Sequence, residues 1–359
     1  MEHKVTLCSN KQTFMVQENE TILEAAIRAG VSINYGCSSG TCGLCQARLV
    51  SGNIDEIKPR EFVIPEAEKL QGHMLTCVCA VKDDVVIDAL VANTVLDIPL
   101  QRLNVKVRKV EELANEVFRL IVQTPRTNRL RFMAGQYVEI SLENIGKSRF
   151  SIASCPCEDR LIELHLRVSS NDPMSVQVAD KMRIGDTLDL RGPLGEFVYD
   201  ENANRPVILF AFDTGFAAIK SLLEHITAQE QELDIHLIWM SCGSDGLYMH
   251  NLCRSWADAF DHFNYTGIAL GESIKQLSDD PQHGCATVEA YIMQAMQAYE
   301  DLSCHDVYVS APAPATKLFE NVCRKKHVLM RRFFSEPVRG NEDMSCMVSI
   351  KQEIKEENT

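Results

Sequence analysis

The sequence predicts an α+β multidomain chain of three successive units. A small β-grasp unit is expected over residues 1–95, an all-β barrel over 102–200 and a doubly wound α/β unit over 205–336, with an acidic tail over 337–359. Three observations predict this. Residues 1–95 combine short alternating strands, one capped helix and a long cysteine-bearing loop. Residues 102–200 alternate apolar and polar side chains in short runs broken by Gly, Pro and Asn, the pattern of a barrel. From Pro206 onward, continuous apolar runs alternate with helical stretches, as in a parallel sheet covered on both faces.

In the first unit, Val5 to Val16 predicts two short strands around Ser9-Asn-Lys11. Thr21-Ile-Leu-Glu24 is a capping box that opens a helix over Ile22 to Ala29, stopped by Gly30. Ala47 to Val50, Leu75 to Val81 and Asp84 to Ala89 are expected strands, with a turn at Ser51-Gly-Asn53. The barrel strands are expected at Val105 to Val110, Val117 to Gln123, Tyr137 to Ser141, Ile162 to Val168 and Thr187 to Leu190. In the α/β unit, Pro206 to Phe212, Ile235 to Met240 and Val307 to Ser310 are expected strands. Ala217 to Thr227, Val288 to Met296 and Ala315 to Cys323 are expected helices.

Four cysteines carry the chemistry. Cys37, Cys42 and Cys45 stand as Cys-x4-Cys-x2-Cys, closed by the distant Cys77. This is the ligand pattern of a plant-type [2Fe–2S] cluster. Each iron needs two thiolates besides the bridging sulfides, so four ligands must converge on one loop. Gly36, Gly40 and Gly43 permit so tight a backbone, whose amide N–H groups can then face the cluster's negative charge. Zinc also takes thiolates, but structural zinc sites favour two Cys-x-x-Cys knuckles, and Cys42/Cys45 forms one. Cys79 would share a face with Cys77 on a regular strand and stands as the alternative fourth ligand. The other ten of the 14 cysteines are expected to be small buried apolar residues, and Cys155 and Cys157, flanking Pro156, receive no role.

Composition narrows the remaining classes. A hydrophobic content of 45% and charged content of 24% are those of a globular chain. No apolar run reaches membrane-spanning length, the amino terminus lacks a signal-peptide pattern, and the cytoplasm is the expected compartment. A disulfide framework is not expected there. The net charge of −14 argues against nucleic acid and suits either simple solubility or docking to a basic protein face.

Residues 1–95 resemble a plant-type ferredoxin domain, and the rest of the chain, up to about residue 336, resembles the flavin and nicotinamide domains of the ferredoxin–NADP reductase superfamily. The order of units is similar to that of oxygenase reductase components, and more so to that of the CDP-6-deoxy-Δ3,4-glucoseen reductases. Phe132-Met-Ala-Gly-Gln-Tyr137 and Gly192-Pro-Leu-Gly-Glu-Phe197 are similar to the entry and exit of the family's flavin barrel. Ser148-Arg-Phe-Ser151 is similar to its Arg-x-Tyr-Ser. The resemblance implies that Phe150 stacks on the isoalloxazine, that Ser151 approaches its N5, and that Arg149, one place late, serves the pyrophosphate. On a strand such a slip reverses the facing, so Arg149 would need a bulge. Asp172-Pro-Met174-Ser175 stands for the family's second phosphate loop, Gly-x-x-Ser; its acid opposes a phosphate, and Arg167 is the candidate compensating cation.

The family's Gly-Gly-Thr-Gly turn is here Phe212-Asp213-Thr214-Gly215. Thr214 and Gly215 are implied to hold the nicotinamide dinucleotide, with Phe212 expected to block backbone approach and Asp213 to oppose an anion. Ser310-Ala-Pro312 stands for Cys-Gly-Pro, which places Ser310 near hydride transfer and makes it, with Ser151, a catalytic candidate. Cys242 and Gly243 stand where users of NADPH hold an Arg, which favours NADH. The flavin's usual aromatic cover would come from Phe333, Phe334 or the extension. The resemblance thus implies an NAD(P)H-dependent flavin and iron–sulfur oxidoreductase. It would pass electrons from NADH through FAD and the [2Fe–2S] cluster to a protein acceptor such as an oxygenase or dehydratase. Two alternatives remain: a carrier of this architecture that has lost nicotinamide binding, and a non-enzymatic ferredoxin-bearing subunit without flavin.

Overall fold

In the first unit, Val5, Leu7, Phe14 and Val16 alternate inward along β1 (His3–Leu7) and β2 (Thr13–Val16). With β3 (Gln46–Ser51), β5 (His73–Leu75) and β7 (Val85–Asp88) they form a sheet ordered β2-β1-β7-β3-β5. Helix α1 (Ile22–Arg28) packs on it through Ile22, Leu23, Ala25 and Ala26. Its capping box is formed: the Glu24 N–H donates to Thr21 Oγ1 at 3.2 Å, and the Thr21 N–H to Glu24 Oε2 at 3.1 Å. The strand expected from Leu75 to Val81 is two strands. β6 (Cys79–Val81) leaves the main sheet to pair with β4 (Ile54–Glu56), and the turn between β5 and β6 carries Cys77. A short helix, α2 (Glu66–Leu70), was not expected; it buries no residue and so leaves no apolar period.

The structure is a computed structural model, and it describes residues 2–201, 203–229, 232–242, 246–270 and 281–338, without the side chains of 281–287. Most of the expected acidic tail and Gly243 lie outside the described residues.

The barrel strands are β8 (Gln101–Ala114), β9 (Val117–Gln123), β10 (Tyr137–Leu142), β11 (Gly146–Ser151), β12 (Leu161–Arg167) and β13 (Thr187–Leu194). They follow the order β11-β10-β13-β8-β9-β12, and a bridge between Ile152 and Leu164 brings the two ends together. Strand β12 sends Ile162, Leu164 and Leu166 into the barrel core. The alternate residues Glu163, His165 and Arg167 face outward, and all three bind the third unit, through Lys220, Tyr248 and Asp213 respectively. Helix α3 (Pro173–Asp180) contributes Met174 and Val178 to the same core.

The third unit is a parallel sheet ordered β16-β15-β14-β17-β18. Its strands are β14 (Val207–Phe212), β15 (Ile235–Ser241), β16 (Phe263–Ala269), β17 (Asp306–Ala311) and β18 (Phe333–Pro337). Ile208, Phe210 and Phe212 pack with residues of α6 (Pro281–Ala295) and α7 (Ala313–Lys325). Val207, Leu209 and Ala211 pack with α4 (Phe216–Ala228) and α5 (His250–Ala259). Both faces are therefore covered, which explains the apolar runs of the central strands. The edge strands β16 and β18 are half polar and carry no such run. Among the described residues no helix is long and apolar enough to cross a membrane.

Candidate iron–sulfur and flavin sites

The four cysteines meet as two pairs. Cys45 Sγ and Cys77 Sγ lie 3.1 Å apart. Cys37 and Cys42 each receive the other's backbone N–H on sulfur, at 3.4 Å. The N–H groups of Ser39 and Thr41 also donate to Cys37 Sγ at 3.4 Å, and that of Leu44 to Cys42 Sγ at 3.5 Å. Burial alone would raise the Cys37 thiol, but the bonds from Thr41, Ser39 and Cys42 outweigh it and hold the group at about 6. The bond with Cys77 is the largest influence on Cys45 and holds its thiol below the ordinary value. Gly43 is needed here: its φ is +78°, and a Cβ would stand 2.4 Å from the Phe62 ring.

Two cysteine pairs in a loop of inward amides fit a two-iron cluster. Cys79 is at the start of β6, opposite Glu56, and burial pushes its thiol up to about 12. The geometry favours Cys77 as the fourth ligand.

The barrel grips this loop from the segment between β9 and β10. The Arg129 N–H donates to the Gly36 carbonyl at 2.9 Å, and its Nε to Ser38 Oγ at 3.4 Å. Arg131 bonds the Asn34 side-chain oxygen and lies over the Tyr35 ring, 5.6 Å from its centroid.

Arg149, Phe150, Ser151, Arg167 and Thr214 line one cleft between the barrel and the third unit, together with Tyr137, His165, Asp172 and Glu336–Val338. Tyr137 was not among the candidates, although its place directly opposite Ser151 in the β10–β11 ladder follows from the strand entry motif. The ladder runs without a bulge, so Arg149 sits opposite Glu139, 3.5 Å from its carboxylate, with its guanidinium 5.9 Å from the Tyr137 ring centroid. Ser148 faces the other way and donates to Asp172 Oδ1 at 2.5 Å. Asp172 also caps α3 by accepting the Met174 N–H at 3.1 Å. The chain's own carboxylate thus occupies the helix start where a phosphate would be expected. Met174 is buried in the barrel core, and Ser175 Oγ donates to the Asp172 carbonyl at 2.8 Å; both build the loop rather than line the cleft. Phe150 is buried in the barrel core, on the strand face opposite Ser151, so the ring that the cleft offers a flavin is that of Tyr137, beside the Ser151 hydroxyl; the phosphate end is altered.

Three expectations for the nucleotide turn change. Phe212 is fully buried among Ile238, Met240 and Phe319, so its ring packs into the core and does not block the turn. Asp213 does not stand as a free anion. Arg167 grips it with two bonds, Nε to Oδ2 at 2.6 Å and a terminal nitrogen to Oδ1 at 2.7 Å, and so is not the cation for the flavin phosphates. Phe333, half-buried, packs against the sheet core and Phe334 stacks on Tyr308 at 4.8 Å, so cover for the cleft comes from Glu336–Val338. A Cβ on Gly215 would stand 2.1 Å from the Ser310 carbonyl, which makes the glycine obligatory. Ser310 is fully buried, and its hydroxyl has no hydrogen-bond partner among the described residues.

Beside this turn, Glu163 accepts from His165 at 2.7 Å, and His165 meets Tyr248 at 3.0 Å. Lys220 binds Glu224 at 2.7 Å and approaches Glu163 at 3.5 Å. Burial would raise the Glu163 carboxyl, but His165 and Lys220 outweigh it and hold the group at about 2. Cys155 and Cys157, which received no role, are joined in a disulfide across Pro156.

Residues 5–82 match the 2Fe-2S iron-sulfur cluster binding domain, and residues 104–199 match the oxidoreductase FAD-binding domain. The chain is 30% identical over 282 residues to the terephthalate 1,2-dioxygenase reductase component 2 of Comamonas sp., covering 78% of this chain and 81% of that one. It belongs to the ferredoxin-fused, FAD-binding reductases. It is also 27% identical over 324 residues to the CDP-6-deoxy-L-threo-D-glycero-4-hexulose-3-dehydrase reductase of Yersinia pestis, covering 90% of this chain and 94% of that one. In fold it is similar to an Amycolatopsis cytochrome P450 reductase, with a TM-score of 0.57 and 22% identity over 93% of this chain and 98% of that one. As a member of this reductase family the chain is an oxidoreductase whose cofactors are a [2Fe–2S] cluster and FAD.

Proposed function

We propose that the chain is the cytoplasmic reductase component of a multicomponent system, drawing electrons from NADH and delivering them singly to an oxygenase or dehydratase. The observation that carries this reading is the shared cleft: Thr214, from the nucleotide turn, lines the same space as Phe150 and Ser151 of the barrel. A nicotinamide and a flavin ring held by these residues would meet there.

Bound FAD supplies the exchange between two-electron and one-electron chemistry, and the cluster supplies a one-electron carrier. Tyr137 offers the flat apolar wall of the ring site, and Ser151, opposite it in the ladder, offers a hydroxyl at its edge. Gly215 lets the start of α4 lie against the end of β17 at Ser310, which is buried beneath the turn and does not line the cleft. Thr214 and the first amides of α4 would meet the dinucleotide. Glu336–Val338 limit water at the cleft mouth. On the acceptor side, Leu44 is 54% exposed beside Cys45 and presents the cluster loop to a partner.

The test is an anaerobic titration of cluster-replete, flavin-loaded protein with NADH, followed by its visible spectrum. Successive bleaching of the flavin and cluster bands is expected. Bleaching by dithionite but not by NADH would defeat the nicotinamide step and favour a protein electron donor. A protein that releases no flavin on denaturation would defeat the reading at its root.

A further inference from the structure

Arg129 belongs to the barrel, yet it holds both chain neighbours of the cluster ligand Cys37. Its N–H donates to the Gly36 carbonyl at 2.9 Å, and its Nε to Ser38 Oγ at 3.4 Å. The side chain is only 10% exposed. Ser38 has a φ of +52°, a left-handed conformation that few residues with a Cβ adopt. The amide that follows it, the N–H of Ser39, donates to Cys37 Sγ at 3.4 Å. One barrel residue thus brings a guanidinium to the cluster loop and braces the turn that aims an amide at the sulfur.

The surrounding charges do not cancel that guanidinium. Arg131, also buried, adds a second cation at Asn34 and Tyr35. Asp159 lies 4.0 Å from Arg129 Nε, too far for a hydrogen bond, and its Oδ2 has no hydrogen-bond partner among the described residues. Asp97, which attracts Arg131, is exposed to solvent. Two buried cations against one loosely held carboxylate leave the barrel side of the loop positive, in surroundings that screen less than water.

Reduction of the cluster takes one electron from the flavin and adds one negative charge among the four thiolates. A fixed positive charge stabilises that state over the oxidised one. We propose that Arg129 raises the reduction potential of the cluster, so that the barrel that holds the flavin also makes the cluster a better acceptor for it. Arg129 is a positioning residue here, acting by its charge and through Ser38. The inference rests on the cluster and flavin reading given above and needs no nicotinamide step.

The test is an anaerobic titration of the fully loaded chain with dithionite and redox mediators, the cluster being followed by its visible circular dichroism. Arg129→Gln should lower the midpoint by about 59 mV, a tenfold shift of the one-electron equilibrium. Arg129→Lys keeps the charge and should lower it by less than half as much. Asp159→Asn keeps every hydrogen bond of Arg129 and should raise the midpoint, in a buffer alkaline enough to ionise the parent carboxyl. Lys317→Gln removes a charge of the same sign from the exposed face of α7 and should leave the midpoint unchanged. Opposite shifts from Arg129→Gln and Asp159→Asn identify charge as the cause, since a loop merely loosened would shift both the same way. If Arg129→Gln fails to hold a cluster, the Asp159→Asn result decides alone. The proposal is overturned if Arg129→Gln leaves the midpoint unchanged, or if Asp159→Asn fails to raise it. A parent chain that never develops the cluster's dichroism would instead defeat the reading on which the inference rests.

Discussion

The cluster loop keeps its four thiolates at the spacing two irons demand, whereas the flavin and nucleotide cleft keeps its walls while exchanging its phosphate-facing residues. The difference follows from how each cofactor is held. A metal cluster depends on a few ligands, each indispensable, so that site is whole or lost. A dinucleotide is held by many weak contacts, and losing some is tolerable when the neighbours adjust. Here they adjust in pairs. Ser148 stands where an Arg was expected and binds Asp172; Asp213 stands where a Gly was expected and binds Arg167. Each new acid is matched by a donor from the barrel strands.

The largest expected effect sharpens the whole-or-lost side of this contrast. Cys77→Ser should abolish the cluster's visible circular dichroism after anaerobic reconstitution, and Cys79→Ser should leave it intact. The reverse outcome would move the fourth ligand to β6 and break the pairing of Cys45 with Cys77.

Next in size is the Arg167–Asp213 pair. Arg167→Ala leaves Asp213, 4% exposed, without its counter-charge. Breaking one side of a buried pair costs roughly 3–5 kcal/mol, and the lower figure is expected because Arg167 is itself 22% exposed. Adding Asp213→Gly should restore most of the loss in thermal denaturation. If the double variant is no better than the single one, the two changes are not coupled. Phe212→Gly, by contrast, would empty a core position and cost about as much, with no gain for the nucleotide.

Acid should separate the two regions. Burial pushes His236 down to about 4 from an ordinary value of 6.5, with Thr266 and Tyr299 as its neighbours. Between those values the unfolded chain binds the proton more readily than the folded one. The stability is therefore complete above pH 6.5 and is lost as pH falls toward 4, by at most about 3 kcal/mol. Both tryptophans, Trp239 and Trp256, lie in the third unit, so their emission reports it alone. Their melting midpoint should fall as pH drops from about 7.5 to about 5, and His236→Gln should flatten that slope. An unchanged slope in the variant would remove His236 as the cause.

The sequence made different parts of this molecule legible for physical reasons. The four ligands, the Thr21 cap and the apolar runs of β14, β15 and β17 were readable because each is a local pattern with one structural solution. Cys77 over Cys79 was not settled by periodicity, because the break between β5 and β6 comes from pairing with the distant β4. The grip of Arg167 on Asp213 joins residues 46 positions apart in different units, and no local rule links them. Tyr137 belongs to the strand entry motif, yet its place in the cleft comes from its partner Ser151 across the ladder. The disulfide spanning Pro156 was invisible because Cys-x-Cys spacing by itself gives no signal of bonding.

The smallest expected effect bears most directly on compensation. If Asp172 occupies a phosphate seat, then Ser148→Arg with Asp172→Gly should reopen it. The serine already faces Asp172 from β11, so an arginine there begins from the right strand face, unlike Arg149, which lies against Glu139. Glycine in place of the Asp172 cap should cost α3 only a few tenths of a kcal/mol, so the fold should survive. FAD affinity, followed by quenching of flavin fluorescence, should rise about tenfold, or about 1.4 kcal/mol. Ser148→Arg alone should gain less, because its guanidinium would pair with Asp172 before any phosphate arrived. If the double variant binds FAD no better than the parent, the pyrophosphate lies elsewhere, and the Ser148–Asp172 pair is only a cap for α3.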